Sequence, residues 1–170
     1  VESTQVGYAN SIITNPTYQQ VCSGETNAAE TVKVIYDPKT IDLSLLLELY
    51  FKTIDPTSLN QQGNDRGTQY RTGIYYTNKD DVPVINQAIQ TLANQYKTPI
   101  AIEVKPLANF YPAENYHQDY LDKNPNGYCH INPALFEMAR KANAPQTKSY
   151  QKPDDATLRK KLSAEQYAVT

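Results

Sequence analysis

The sequence predicts an α+β fold, a two-layer sandwich in which helices cover a ferredoxin-like sheet, with long irregular loops and a C-terminal linker and helical tail. Two observations support this class. Apolar residues recur with the period of a strand and the period of a helix in turn, which gives the order strand, helix, strand, helix, strand. The composition, 39% hydrophobic and 20% charged over 170 residues, suits one globular domain with extensions.

Three predicted strands alternate with two predicted helices in the middle of the chain. TVKVIYD (31–37) alternates apolar and polar side chains, and the apolar helix DLSLLLELYFKTID (42–55) follows it and ends before a proline. RTGIYYT (71–77) is the second strand. A helix with acidic residues and a proline in its first turn, DDVPVINQAIQTLANQYK (80–97), leads to the third strand, PIAIEVKPL (99–107).

The segments around this alternation are less regular. Residues 1–30 are turn-rich and polar. SLNQQGNDRGTQY (58–70) has two glycines and no period, so we predict a long irregular loop, which in compact domains is usually functional or disordered. YPAENYHQDYLDK (111–123) predicts a short helix.

The chain is predicted to divide into a domain over residues 1–132, a linker over 133–151 and the start of a second unit over 152–170. The first part carries nine Lys and Arg against fourteen Asp and Glu, whereas the other two together carry seven against four. A new helical pattern begins in the last part, where Ser163 and Gln166 have the spacing of a capping box.

Composition and charge argue against several classes of protein. The formal net charge of −2 gives no indication of a nucleic-acid partner. No apolar run approaches the roughly 18 residues that a membrane span needs. We expect a monomer with no bound cofactor, and the residues leave the compartment open between the cytoplasm and the exterior.

The two cysteines are too few for a disulfide framework, and too few for a zinc site without other ligands. Cys129 lies in NPNGYCHINP (124–133), where a flexible turn suits a resolving cysteine that travels to meet a sulfenic acid. An inert, half-buried thiol is an equally good interpretation of Cys129. Cys22 has no basic residue nearby to stabilise a thiolate, and we interpret it as a structural thiol.

Four further residues are candidates for acid catalysis or ligand binding. Glu30 follows two alanines at the start of a strand, where a desolvated carboxyl can stay protonated near neutral pH and act as a general acid. Asp65 and Tyr70 in GNDRGTQYR, and Tyr18 in NPTY, can present a carboxylate and two hydroxyls to a ligand. Each also has a plain interpretation: a surface carboxylate for Glu30, and ordinary turns for the other three.

The sequence predicts no metal site. Glu114 and His117 have the i, i+3 spacing of carboxylate-bridged metal centres, but such centres need a second copy of the motif, which the sequence lacks. Cys129 and His130 are adjacent, which is poor spacing for one tetrahedral zinc ion.

Four runs of sequence together resemble the peptide methionine sulfoxide reductase A family, whose members reduce methionine-S-sulfoxide. They cover most of residues 1–131 in the family's order: VGYAN (6–10), NPTYQQVCSGETNAAETVKVIYDP (15–38), DPTSLNQQGNDRGTQYRTGIYY (55–76) and FYPAENYHQDYLDKNPNGYCHI (110–131). The tail KPDDATLRKKLSAEQYAVT (152–170) resembles the opening of the B-type reductase, which acts on the R-sulfoxide. The resemblance implies a natural A–B fusion as the parent protein.

The family's chemistry implies roles for the candidate residues. A cysteine thiolate attacks the sulfoxide sulfur while a protonated carboxyl and two tyrosine hydroxyls hold and protonate the oxygen; methionine leaves and a sulfenic acid remains. A second cysteine condenses with the sulfenic acid, and thioredoxin or a thioredoxin-like protein reduces the disulfide. By position, the resemblance implies catalytic or substrate-binding roles for the acid Glu30, the hydroxyls of Tyr18 and Tyr70, the carboxylate Asp65, the recycling Cys129 and its neighbour Tyr128.

The sequence departs from the family's pattern in two places. The family's nucleophile lies in a Gly-Cys-Phe-Trp motif well before VGYA, and residues 1–170 contain no such motif, so we expect this chain by itself to be inactive or nearly so. The family usually has Gly-His-Ala-Glu where this chain has Asn27-Ala28-Ala29-Glu30, so the acid is kept and its surroundings differ. Cys22 matches a cysteine found in some relatives and is not assigned as the nucleophile.

Two other functions stay open from the sequence. One is a non-catalytic module that binds methionine sulfoxide peptides in a tyrosine-lined pocket, although such a module has no use for Cys129. The other is a structural domain closed by a disulfide between Cys22 and Cys129 in an exported protein. On the chain-entropy model such a disulfide would contribute roughly 4–5 kcal/mol.

Overall fold

The computed structural model describes residues 1–129 and 131–142, and over these residues the predicted α+β class is confirmed. Strands and helices alternate along the chain, with two short 3-10 turns at Thr68–Tyr70 and Lys79–Asp81. The strands are β1 (Ser3–Ala9), β2 (Ala29–Ile35), β3 (Gln61–Gln62), β4 (Asp65–Arg66), β5 (Gly73–Tyr76), β6 (Glu103–Pro106) and β7 (Phe110–Pro112). The helices are α1 (Tyr18–Cys22), α2 (Leu43–Thr53), α3 (Val82–Ala93), α4 (Tyr120–Lys123) and α5 (Ala134–Ala142).

Strand β1 lies in the middle of a three-stranded antiparallel sheet with the order β2-β1-β7. The register sets Tyr8 opposite Glu30 on one side and opposite Tyr111 on the other. Gln118, from the turn after β7, donates to the Val6 carbonyl at 2.9 Å and accepts from the Val6 N–H at 3.0 Å. These two bonds provide partners for the backbone N–H and carbonyl of Val6, where the pairing of β1 with β7 ends.

The other strands form two smaller ladders. Strands β3 and β4 are an antiparallel pair, and β5 and β6 are a parallel pair whose crossover contains α3. The strands predicted at 71–77 and 99–107 are therefore neighbours, while the strand predicted at 31–37 belongs to the three-stranded sheet. Among the described residues, hydrogen bonding thus divides the strands into three separate sheets rather than one continuous ferredoxin-like sheet.

Helices α2 and α3 lie where the apolar periodicity predicts them. Asp42 caps α2 by accepting a hydrogen bond from the Leu45 N–H at 2.8 Å. Helix α3 has a proline in its first turn and buries Ile85 and Leu92. Complete burial of a side chain of this size stabilises the fold by about 1.5–3 kcal/mol.

Residues 1–30, predicted to be turn-rich and polar, also contain two elements that the sequence analysis does not predict, β1 and α1. Only the inner end of β1 is buried, at Gly7, Tyr8 and Ala9, so the strand lacks the alternation that marks a half-buried strand. Pairing on both edges keeps it extended. Helix α1 follows a capping box between Thr17 and Gln20.

The predicted helix over 111–123 is wrong in its first half. Residues Phe110–Pro112 form β7, because their backbone pairs with β1. Turns follow, and only Tyr120–Lys123 is helical. Asp119, just before this helix, has φ of 51°, a left-handed conformation that a continuous right-handed helix cannot contain.

Two other predicted segments contain short elements. The loop predicted over 58–70 holds β3, β4 and the first 3-10 turn, and α5 lies inside the predicted linker. The predicted tail at 152–170, with Ser163 and Gln166, lies outside the described residues. Within the described part of the chain, every helix is too short or too polar to cross a bilayer.

Substitution of Gly7 by alanine tests how closely the sheet is packed. A Cβ at Gly7 would meet the carbonyl oxygen of Tyr111 and the ring of Phe110 closer than real Cβ atoms approach other groups. Because Tyr111 contributes backbone, β7 must shift, and we expect Gly7→Ala to lower the free energy of unfolding by about 1–3 kcal/mol. Urea unfolding measures this loss.

Ser3→Ala is the matched control, since Ser3 lies at the exposed outer end of the same strand. We expect it to change the free energy of unfolding by less than about 0.5 kcal/mol. Equal urea midpoints for the two variants would contradict the close packing of β1 on β7.

Candidate functional site

A cavity of about 310 Å³ opens where β1 and β2 meet α1 and the turns after β7. Tyr8 and Glu30 stand opposite each other on β1 and β2, and opposite residues of a strand pair point to the same face of the sheet. The phenol of Tyr8 and the carboxyl of Glu30 therefore belong to one wall. The lining residues are Val6, Gly7, Tyr8, Tyr18, Glu30, Thr31, Val32, Ala113, His117 and Tyr120.

Glu30 is the one lining residue with a carboxyl group. Removal of water by the surrounding protein atoms raises its pKa from 4.5 to about 7, and the nearby carboxylate of Asp65 adds to the rise. The residue still meets solvent at the mouth of the cavity, so it can exchange its proton with water. Glu30 can therefore act as an acid near neutral pH.

Two tyrosine hydroxyls lie close to Glu30 and come from different elements. Tyr18 begins α1, and its pKa is raised first by a hydrogen bond with the Cys22 thiol, then by burial, and also by the charge of Glu30. Tyr70 ends the first 3-10 turn, and its pKa is raised by burial and by the charges of Glu30 and Asp65. Both hydroxyls keep their protons at neutral pH and can donate hydrogen bonds.

The segment predicted as an irregular loop delivers two of these groups. The short β3–β4 pair presents Asp65, and Gly67, with φ of 145°, turns the chain into the 3-10 turn that carries Tyr70. Gln69, next to Tyr70, is buried and anchors this turn. Tyr18 and Glu30 line the cavity, and Asp65 and Tyr70 lie near Glu30 without lining it. The roles of these four residues stay a prediction.

Cys129 and Tyr128 are placed apart from this group. Cys129 is a free, half-buried thiol whose sulfur accepts a hydrogen bond from the Ile131 N–H at 3.4 Å. Tyr128 is 58% exposed. Neither residue lines the cavity, and His130, which follows Cys129, lies outside the described residues. The assignment of Cys129 and Tyr128 to the site stays a prediction.

Cys22 lies closer to the site than its interpretation as a structural thiol suggests. It is exposed and free, and it ends the helix that Tyr18 begins. Its sulfur is near enough to the Tyr18 hydroxyl to raise the pKa of that group, and it raises the pKa of Tyr70 and Tyr116 as well. Cys22 therefore belongs to the surroundings of the Tyr18 and Tyr70 hydroxyls.

Glu114 is a site residue whose role the sequence does not reveal. Its carboxylate accepts a hydrogen bond from the Tyr8 hydroxyl at 2.7 Å and one from the Tyr18 backbone N–H at 2.8 Å. Burial opposes ionisation, but these bonds outweigh it and lower the pKa of Glu114. The same contact, with burial, raises the pKa of Tyr8. Glu114 thus fixes the start of α1, where Tyr18 is located.

The neighbouring His117 packs between aromatic rings. Its ring centroid lies 4.7 Å from that of Tyr18 and 4.3 Å from that of Tyr116. The sequence analysis considered Glu114 and His117 only as a metal-binding pair. Across residues 1–129 and 131–142, no three His, Cys, Asp or Glu side chains are grouped to hold a metal ion. The pair instead positions Tyr18, one residue through its carboxylate and the other through its ring.

Residues 1–149 match the family model described as peptide methionine sulfoxide reductase. A peptide methionine sulfoxide reductase MsrA from Lachnoclostridium phytofermentans is 55% identical over 142 residues, which are 84% of this chain and 86% of that protein. An MsrA from Mycoplasma genitalium is 60% identical over 131 residues, 77% of this chain and 83% of that protein.

Two solved structures are similar to this chain. Mxr1 from Saccharomyces cerevisiae in its reduced form superposes with a TM-score of 0.72 at 39% identity, covering 76% of each chain. Methionine sulfoxide reductase A of Corynebacterium diphtheriae gives a TM-score of 0.70 at 39% identity, covering 76% of this chain and 66% of the other. The similarity thus extends from sequence to fold.

Replacing Glu114 by glutamine tests the anchoring of α1. A carboxylate accepts at both oxygens, whereas an amide accepts at only one, so either Tyr8 or the Tyr18 N–H loses its partner. We expect Glu114→Gln to lower the free energy of unfolding by about 1–3 kcal/mol at pH 7. Urea unfolding at several pH values measures the loss.

The pH dependence of this loss has a definite sign. The folded-state pKa of Glu114 is lowered, so its contribution is present above the unfolded-state pKa and is lost as pH falls through the folded-state value. The difference between wild type and Glu114→Gln should therefore shrink in acid. Glu25→Gln, on an exposed turn, is the control, and a loss as large for it as for Glu114→Gln would count against the anchor.

Proposed function

This chain belongs to the peptide methionine sulfoxide reductase family, and we propose that the cavity between β1, β2 and α1 holds and protonates the oxygen of the substrate sulfoxide. The protein is an oxidoreductase that reduces methionine sulfoxide in peptides to methionine. The proposal concerns which residues do this and how.

One observation carries the proposal: a carboxyl whose pKa is about 7 lies beside two tyrosine hydroxyls. The hydroxyls of Tyr18 and Tyr70 donate hydrogen bonds to the sulfoxide oxygen, which carries partial negative charge. Glu30, in its protonated form, delivers a proton to that oxygen as the sulfur is attacked. Burial, and after it the nearby carboxylate of Asp65, raises the pKa of Glu30 and helps it to retain its proton until the reaction.

The reaction balances with one thiol. A cysteine thiolate attacks the sulfoxide sulfur and a bond forms between the two sulfur atoms. The protonated oxygen then moves to the cysteine sulfur, as both the new S–S bond and the S–O bond to methionine break. The products are methionine, reduced by two electrons, and a cysteine sulfenic acid, oxidised by two. The proton that Glu30 delivers stays on the hydroxyl of the sulfenic acid. Glu30 therefore regains a proton from solvent at the open mouth of the cavity.

Recycling of the sulfenic acid is assigned to Cys129. Its thiol condenses with the sulfenic acid, releasing water and forming a disulfide. The turn that holds Cys129 follows a Pro-Asn-Gly sequence, which supports a swing of the thiol toward the cavity. A thioredoxin-like dithiol then reduces the disulfide by thiol exchange and is itself oxidised. Tyr128, next to Cys129, is proposed to contact the bound peptide once the turn has moved.

The stereochemistry of the substrate is part of the proposal. The two donors come from different elements, Tyr18 from α1 and Tyr70 from the 3-10 turn. Holding the oxygen among these groups leaves the sulfur lone pair and the methyl group in fixed directions, so only one sulfoxide epimer can present its sulfur to the thiolate. By its resemblance to the A-type reductases, this epimer is the S-sulfoxide.

The activity test compares two forms of the protein on peptides that contain methionine-S-sulfoxide or methionine-R-sulfoxide. One form is residues 1–170, and the other is the same chain preceded by a family segment that contains Gly-Cys-Phe-Trp. We expect the longer form to reduce only the S-sulfoxide with a thioredoxin-like donor, and the same form with its motif cysteine changed to serine to be inactive. Peptide binding without turnover in the longer form would support a binding module instead.

The pH dependence of the longer form tests the role of Glu30. The proton-bearing form is the active one, so kcat/KM should fall as the pH rises through about 7. Glu30→Gln cannot deliver a proton, and we expect its kcat/KM to be about 10²- to 10⁴-fold lower without that descending limb.

The pH dependence of the free energy of unfolding is an independent test of the raised pKa of Glu30. Because the folded-state pKa of Glu30 lies above its ordinary value of 4.5, its contribution to stability is present below pH 4.5 and is lost as the pH rises to about 7. Glu30→Gln should remove this loss, and Glu25→Gln should leave it in place. An unchanged pH profile of both rate and stability in Glu30→Gln would exclude Glu30 as the acid.

A further inference from the structure

Arg71 donates four hydrogen bonds, three of which join two backbone segments near Glu30 and Tyr70. Its Nη1 donates to the carbonyl oxygens of Thr68 at 2.8 Å and Ala28 at 3.3 Å, and its Nη2 donates to that of Asn27 at 3.0 Å. Its Nε donates to the Glu103 carboxylate at 2.7 Å. One guanidinium therefore binds backbone from two segments that are 40 residues apart in the chain.

Each of these segments carries one of the proposed oxygen-binding groups. Asn27 and Ala28 lead directly into β2, whose second residue is Glu30. Thr68 begins the 3-10 turn that ends at Tyr70. The distance between the carboxyl and the Tyr70 hydroxyl therefore depends on how these two backbones are held together.

The guanidinium is itself held in place from the far side. The Arg71 side chain is only 14% exposed, and its partner Glu103 also accepts from the Tyr75 hydroxyl at 2.6 Å and pairs with Lys105 at 2.5 Å. Burial opposes ionisation of Glu103, but these three partners outweigh it and lower its pKa to about 2. The carboxylate thus stays charged across the neutral range and fixes the orientation of Arg71.

The conformation of Asn27 directs its carbonyl to Arg71. Asn27 has φ of 52°, a left-handed conformation that glycine and asparagine adopt more readily than other residues. The related family has Gly-His where this chain has Asn27 and Ala28, so asparagine replaces glycine at a position where both are suited to the backbone. The departure from the family's pattern therefore leaves the Arg71 contact intact.

We propose that Arg71 is a positioning residue of the reductase reaction, which sets the distance between the Glu30 carboxyl and the Tyr70 hydroxyl by binding the backbone next to each of them. This inference rests on the proposed function of Glu30 and Tyr70. Arg71 does not line the cavity, and its described hydrogen bonds go to three carbonyls and Glu103 rather than to these two side chains, so its action is assigned to the backbone.

Arg71→Lys separates charge from geometry. Lysine keeps the positive charge, but its single ammonium group cannot reach three carbonyls and a carboxylate in the planar arrangement that the guanidinium provides. The two backbone segments should separate, which increases the contact of Glu30 with water and moves Asp65 away from it. The groups that face Glu30 are Tyr8 from β1, Tyr18 from α1, Asp65 from β4 and Tyr70 from the 3-10 turn.

The experiment follows the Glu30 carboxyl carbon by NMR as a function of pH in residues 1–170, with the resonance assigned by its absence in Glu30→Gln. We expect the pKa of about 7 to fall toward 4.5 in Arg71→Lys. In the longer, active form, kcat/KM for the S-sulfoxide should fall about 10- to 100-fold, as a displacement near 1 Å does in other enzymes. The NMR result needs no turnover, so it stands even if the proposed reaction chemistry is wrong.

Tyr75→Phe is the matched control, because it removes another hydrogen bond to Glu103 and leaves the three carbonyl contacts of Arg71 in place. It should lower stability and keep the Glu30 pKa. A Glu30 pKa that is unchanged in Arg71→Lys, or that shifts equally in Tyr75→Phe, would overturn the proposal.

If Arg71→Lys does not fold, a second pair of variants tests the same hydrogen bonds by changing Asn27, whose carbonyl accepts from Arg71. Asn27→Gly keeps the left-handed conformation, and the Glu30 pKa should stay as in wild type. Asn27→Ala disfavours that conformation and should shift the Glu30 pKa in the same direction as Arg71→Lys. Equal Glu30 pKa values in both Asn27 variants would overturn the proposal as well.

Discussion

The pairing register between β1 and β2 is the constraint on which the site depends. Seven residue pairs, from Ser3 with Ile35 to Ala9 with Ala29, align the two strands without a bulge. Because side chains alternate between faces, a shift of one residue would send Glu30 to the opposite face of the sheet from Tyr8. The bonds from Gln118 to Val6 and the pairing with β7 secure β1 from its other edge. Every group in the cavity is placed relative to this pair of strands.

Two glutamates near this pair of strands have pKa values shifted in opposite directions, raised for Glu30 and lowered for Glu114. Burial, and after it the charge of Asp65, raises the pKa of Glu30 to about 7, and no described hydrogen bond offsets this rise. Glu114 accepts from the Tyr8 hydroxyl and the Tyr18 N–H, and its pKa is lowered. Environments that push like groups apart in this way are how one site keeps an acid and an anchor side by side.

The sequence predicts those parts of the fold and the site that local patterns encode. Helices α2 and α3 have apolar periodicity and clear ends, and Glu30 is recognisable from the alanines before it and from the family's motifs. Strand β1 and the role of Glu114 are not encoded locally. Tyr8 and Glu114 are 106 residues apart, and no nearby residue signals that they meet. Arg71 is similar, since its carbonyl partners belong to the backbone and leave no trace in the identity of side chains.

The long separation between β1 and β7 has a consequence for the order in which the protein is made. Gly7 pairs with Pro112, so the sheet cannot be completed until the ribosome has synthesised the whole stretch between them. At usual rates of about 5–20 residues per second, this takes about 5–20 s. During that time β1 can pair with β2 but exposes its other edge, which is open to strands of neighbouring nascent chains. The β7 edge of β1 is therefore a place where nascent chains can associate until residues 110–112 have been made and cover it.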